Sequence, residues 1–205
     1  MKKVKTSWFY SEEVKHHFFK PKNFIKTKEE IKKFKADGVG MVGSPACGDM
    51  MKMWIKVDAK KEIIKDIKWQ TFGCASAIAT TSVLSEIAKG MKLEDARKIT
   101  PKEIVDKLAG IPAVKFHCSV LGDKALRESV NDYFRKTKQF GRIITDSPIV
   151  DEKLKITERD IENAVIEGAK TLKEVQQKTK IGIDNKIILK KVEELIKQYR
   201  KKHGV

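Results

Sequence analysis

Met51, Met53, Ile55 and Val57 alternate with Lys52, Trp54 and Lys56, and this stretch limits the fold more tightly than any other. A period of two puts apolar side chains on one face and charged ones on the other, the pattern of a half-buried strand. Asp58-Ala59-Lys60-Lys61 supplies a turn, and Ile63 to Phe72 returns as a second strand. Met41-Val42-Gly43 predicts a third. A small antiparallel sheet is marginal alone, so helices must cover one of its faces. The expected fold class is α+β: a three-stranded antiparallel sheet packed with helices, followed by a small all-helical domain.

The helices announce themselves by caps and stops. Ser11 to Lys20 predicts a short one, with Ser11 as N-cap and Pro21 beyond its end. The lysine-rich stretch 22–40 reads as mobile, with some helix near Glu29–Lys35. From Ala75 the run Ala-Ser-Ala-Ile-Ala-Thr-Thr-Ser predicts a helix of small residues that allows close backbone approach and ends at Lys89-Gly90. Leu93–Ile99 and Pro101–Leu108 predict two short helices, and Ser119–Lys138 a long one. Gly141 to Pro148 reads as a linker. Beyond it, helices are expected from Thr157 to about Glu167, from Thr171 to about Lys178, and from Asn185 to Lys201. The predicted domains are therefore residues 1–140 and 149–205, joined by 141–148.

Hydrophobic residues make up 40% of the 205, and no run is long and apolar enough to span a bilayer. The basic start has no apolar region behind it, so it is not read as a signal peptide, and a cytoplasmic location is expected. The net charge of +16 would suit an anionic partner. However, the lysines are spread among glutamates on helical faces, without a recognition motif or an aromatic stacking platform. A solvated surface explains them, so neither nucleic acid nor membrane is expected as a partner.

Chemistry concentrates at three cysteines. Cys47 lies in Ser44-Pro45-Ala46-Cys47-Gly48-Asp49, Cys74 in Phe72-Gly73-Cys74-Ala75, and Cys118 follows His117. An odd number in a cytosolic chain argues against a disulfide framework. All three sit beside Gly, His or Asp in predicted turns, unlike a cysteine used as a small buried hydrophobe. Cys74 and Cys118 are expected just before helices, whose free N–H groups attract negative charge. Three sulfurs, an imidazole and the Asp49 carboxylate suit zinc or an iron–sulfur cluster, though their separations are not those of a zinc finger. Cys118 as a nucleophile with His117 as its base is a second reading. It lacks an acyl-transfer motif, and adjacent residues usually point apart.

Four motifs carry a resemblance. Tyr10-Ser11-Glu12 with Asn23, Gly40-Met41-Val42-Gly43-Ser44-Pro45-Ala46-Cys47-Gly48-Asp49, Thr71-Phe72-Gly73-Cys74-Ala75-Ser76-Ala77-Ile78-Ala79 and Val114-Lys115-Phe116-His117-Cys118-Ser119 occur in this order. Residues 8–138 closely resemble the IscU/NifU family of iron–sulfur cluster assembly scaffolds. The resemblance implies a carrier rather than an enzyme, on which a labile 2Fe–2S cluster is built from iron and cysteine-desulfurase sulfur and passed to acceptor proteins. It makes Cys47, Cys74 and Cys118 ligands and sulfur acceptors, with Cys118 the persulfide acceptor. Asp49 becomes the residue of cluster lability and of iron or zinc binding, His117 an additional ligand, and Lys115 the neighbouring basic residue. Tyr10 lies near the site in the family when the N-terminus folds over. A plain zinc-binding interaction module would use the same donors. Ile111-Pro112-Ala113-Val114-Lys115 stands where many bacterial scaffolds have the Leu-Pro-Pro-Val-Lys bound by a dedicated Hsp70, so a chaperone interaction is left open. A homodimer is left open.

The tail has its own likeness. Ile156-Thr157-Glu158-Arg159-Asp160-Ile161-Glu162-Asn163-Ala164, Gly168-Ala169-Lys170-Thr171-Leu172-Lys173-Glu174-Val175 and Val192-Glu193-Glu194-Leu195 resemble bacterioferritin-associated ferredoxin and the middle domain of NifU. That family holds a permanent 2Fe–2S cluster on four cysteines. Here Asp151, Lys153, Asn185 and Ile188 occupy the matching positions, and Lys and Ile cannot replace thiolates. No cluster is expected in the tail.

Overall fold

The computed structural model describes residues 10–44, 49–112, 116–183 and 185–204, without the side chains of residues 44, 49 and 116–119. Strands β1 (Gly38–Ser44), β2 (Asp49–Asp58) and β3 (Ile63–Phe72) form an antiparallel sheet in the order β1-β2-β3. Register pairs Met53 with Gly40 on one side and Trp69 on the other. Met51, Met53, Ile55, Ile67 and Trp69 are fully buried on the inner face, as their alternation demands. Helix α3 (Ala75–Ala88) and the long α6 (Phe116–Lys136) cover that face. Leu84, Leu126, Val130 and Phe134 join the strands in one core.

Smaller helices close the rim. α1 (Glu12–Phe19) is capped by Ser11, whose hydroxyl accepts from Val14 N at 3.1 Å. It lies on α3 along a polar seam, where Ser82 Oγ is shared by Lys22 N and His17 Nδ1, each at 2.8 Å. The small residues of α3 permit this approach. α4 (Leu93–Ala96) and α5 (Pro101–Lys107) follow, the latter with a complete capping box between Thr100 and Glu103.

The stretch 22–40, expected to be mobile, is instead built into the fold. Ile25 and Trp69 exchange backbone contact through Ile25 N to Trp69 O at 2.9 Å, and Trp69 Nε1 donates to Lys22 O at 2.8 Å. α2 (Lys28–Phe34) then folds over the outer sheet face, where Ile25, Phe34 and Trp54 form a separate apolar cluster. Four spaced apolar residues among the lysines, Ile25, Ile31, Phe34 and Val39, supply this cluster. Their burial outweighs the solvation of the charges around them.

Residues after α6 make a 3-10 turn at Phe140–Arg142, a two-stranded ribbon of β4 (Ile149–Asp151) and β5 (Ile156–Thr157), and helices α7 (Glu158–Ile166), α8 (Leu172–Thr179) and α9 (Leu189–His203). This region is mostly helical, as expected, with the ribbon as an addition. Its buried residues, including Ile161, Val165, Val175, Ile181 and Val192, form their own cluster. Among the described residues, no helix is long and apolar enough to cross a membrane.

Candidate metal centre

β3 ends at Phe72, and Cys74 two residues later is the N-cap of α3 with extended backbone (φ −73°, ψ 170°). No side chain caps this helix, and no acidic residue lies in its first turn. Cys74 is half-buried and free, at the positive end of a fourteen-residue helix. Ser76 Oγ, one residue into the helix, donates to Tyr10 Oη at 3.3 Å. The N-terminal segment therefore does reach the start of α3.

The same sheet end carries the β1–β2 connection. Ser44 pairs with Asp49, and Met50 with Phe72, so the backbone of Asp49 stands beside the strand that leads to Cys74. α6 runs antiparallel to β1, with Gly38 against Ser129 and Gly40 against Ala125. From Gly40 to Ser44 the strand advances about 13 Å. From Ala125 back to Cys118 the helix covers about 10 Å. The first turn of α6 is thereby carried to the end of the sheet where β1 gives way to β2.

Two glycines make this possible. A Cβ on Gly40 would stand 2.1 Å from Ala125 O and 2.4 Å from Ser129 N, and one on Gly38 2.1 Å from Ser129 O. The helix packs backbone to backbone on β1. Sequence reading placed Gly38 and Gly40 in a mobile stretch and missed this. Alternate glycines leading into an apolar strand were the available signal.

One expectation is corrected. His117 and Cys118 were placed just before the long helix, but their backbone is already helical, inside the first turn of α6. The helix starts at Phe116, about one turn before the expected Ser119. Cys47 and Lys115 lie outside the described residues, as do the side chains of Asp49, His117 and Cys118. Four of the five expected donors are thus beyond description, and among the described residues no three His, Cys, Asp or Glu form a metal-binding group.

Behind the site, Gly122 of α6 lies against Thr81 of α3. Thr81 Oγ1 and Asp123 Oδ1 are buried there without a hydrogen-bond partner among the described residues. Burial pushes the Asp123 carboxyl up to about 6, against the weaker pull of Arg127.

Residues 9–140 match the family model of the NifU-like N terminal domain. This chain belongs to that family. The resemblance drawn from the four motifs is borne out. The iron-sulfur cluster assembly scaffold protein IscU 1 of Archaeoglobus fulgidus is 48% identical over 134 residues, 65% of this chain and 82% of that protein. The scaffold protein IscU of Aquifex aeolicus is 41% identical over 145 residues, 71% of this chain and 87% of that one. Among solved structures, an iron–sulfur cluster assembly scaffold protein for the SUF system from Fervidobacterium islandicum is 20% identical, with a TM-score of 0.46 over 60% of this chain and 96% of its own. The NifU-like match ends at residue 140, so the ribbon and α7–α9 lie beyond it.

Proposed function

We propose that this chain is a scaffold for iron–sulfur cluster assembly, a carrier and not a catalyst with turnover. The reading rests on one observation: the NifU-like match spans residues 9–140 and contains all three cysteines. Cys118 takes up sulfane sulfur as a persulfide from a cysteine desulfurase. Cys47, Cys74 and Cys118 hold iron, with His117 as a further ligand and Lys115 as the adjacent cation. Each sulfane sulfur needs two electrons to become sulfide, so a reductant is a required partner. Asp49, a hard oxygen donor among soft sulfurs, keeps the 2Fe–2S cluster exchangeable and lets it leave for acceptor proteins. Residues 149–205 form a second domain without a cluster, in which Asp151, Lys153, Asn185 and Ile188 replace metal ligands.

Anaerobic reconstitution with ferrous iron, cysteine, a cysteine desulfurase and dithiothreitol tests this. The expected product has a 2Fe–2S absorption spectrum and passes its cluster to apo-ferredoxin. Colourless protein that retains stoichiometric zinc would instead mark an interaction module.

A further inference from the structure

Helix α7 and its C-cap reach the sheet through two polar ties at one register pair. Met41 of β1 and Lys52 of β2 face each other. Asn163 Nδ2 donates to the Met41 carbonyl at 3.1 Å, and the Glu167 carboxylate takes the Lys52 ammonium. Asn163 and Glu167 are four residues apart, so both project from one face of α7 and its C-cap. β1 is an edge strand, and the bond from Asn163 fills a backbone position that no strand pairs. Lys178 adds a second cation to Glu167, with Nζ 3.2 Å from the carboxylate. Burial works against the charge on Glu167, but its bonds to Lys52 and Lys178 hold the carboxyl below its ordinary range.

α7 is held independently on α6. Arg159 bridges Glu128 at 3.0 Å and Asp146 at 2.8 Å, and Arg135 grips Asp160 with two bonds of 2.9 and 3.1 Å. A cleft of about 670 Å³ opens between the sheet and α7 beside these ties, lined by Met41, Lys52, Asn163 and Glu167 among others. Their positions have a consequence for the candidate centre. Met41 lies three residues before the end of β1, and Lys52 three residues after the start of β2. The segment joining the two strands contains Cys47, and Asp49 opens β2. α6, in turn, begins with the turn that holds His117 and Cys118.

We propose that Asn163 and Glu167 are positioning residues for the candidate centre: they clamp the β1–β2 hairpin at Met41 and Lys52 and fix it relative to α6. This rests on the scaffold reading above for its meaning, though the clamp itself does not. Holding the strands at Met41 and Lys52 limits splay of β1 from β2 towards Ser44 and Asp49 and slows cluster loss.

The test is the isosteric double variant Asn163→Asp/Glu167→Gln in the full chain, which removes one donor and one charge and leaves net charge unchanged. On metal-free protein, amide hydrogen exchange over residues 41–44 and 49–52 should quicken about fivefold, as expected for the loss of a bond worth about 1 kcal/mol. Protection in α7 and α9 should persist, because Arg135 and Arg159 still hold them. After reconstitution, the half-life of the cluster against a chelator should fall by a similar factor. Unchanged exchange in the hairpin overturns the clamp whatever the cluster does. Lost protection throughout α7 and α9 also overturns it, since the two residues would then only stabilise the tail. Faster exchange with an unchanged cluster half-life overturns the positioning role. Wild-type protein that forms no cluster overturns the scaffold reading and leaves the exchange result standing.

Discussion

Arg159 of α7 donates to Glu128 of α6 across 3.0 Å, and this bond joins the C-terminal region to the helix that begins at the candidate centre. Glu128 is 7% exposed, and burial raises its carboxyl above the ordinary glutamate range despite Arg159 and Arg135. Removing the arginine would leave a buried, poorly compensated charge. Arg159→Ala should therefore cost about 3 kcal/mol in urea unfolding, and Glu128→Gln clearly less, because it removes the charge itself.

Asp123 predicts a pH dependence. Its carboxyl titrates near 6 in the folded chain, above the ordinary 3.8. A raised folded value stabilises the fold below the unfolded value, and that contribution is lost as pH rises through 6. Asp123→Asn should thus gain about 3 kcal/mol at pH 7 and almost nothing near pH 3.5, since one pKa unit is about 1.4 kcal/mol. Unfolding curves of both proteins across this range check it.

Gly40→Ala places a methyl group into the backbone of α6. With Ala125 O at 2.1 Å, neither strand nor helix can yield without moving the other. A loss of about 3 kcal/mol or more is expected, visible as a fall in thermal midpoint.

With the proposed ligand set, Asp49→Ala should make a reconstituted cluster more persistent, because the three cysteines remain while the hard oxygen donor is gone. The decay of visible absorbance under air measures this. Faster decay than wild type would contradict the role given to Asp49.

Asp151→Ala should loosen the C-terminal region. The Asp151 carboxylate is 3% exposed and accepts from Lys153 N and Leu154 N at 3.1 Å, and from Gly182 N at 3.0 Å. It ties two loops of the C-terminal region together. Three amides would lose their acceptor, at a cost of about 2–4 kcal/mol. Hydrogen exchange at residues 152–154 and 182 reads the loss directly.

Much of the fold was legible because its signals are local. Alternation in Met51–Val57 located β2, Pro101 marked the first turn of α5, and Thr157 with Asp160 announced α7 by capping chemistry within four residues. Less legible were elements whose partners lie far along the chain. Ile25 and Phe34 sit in a lysine-rich stretch that looks solvated until Trp54 is placed against them. The start of α6 was set one turn too late, at Ser119 instead of Phe116.

By itself the sequence determined the family, the three strands, most of the helices and the three cysteines available to the candidate centre. All of these follow from short patterns or from ordered motifs that survive without coordinates. Only the tertiary structure decided that Gly38 and Gly40 admit the backbone of α6, and that Asn163 and Glu167 close on Met41 and Lys52. Those contacts join residues 85 to 122 positions apart. No local period or propensity encodes which distant surfaces will meet; packing and charge pairing in the folded chain select them.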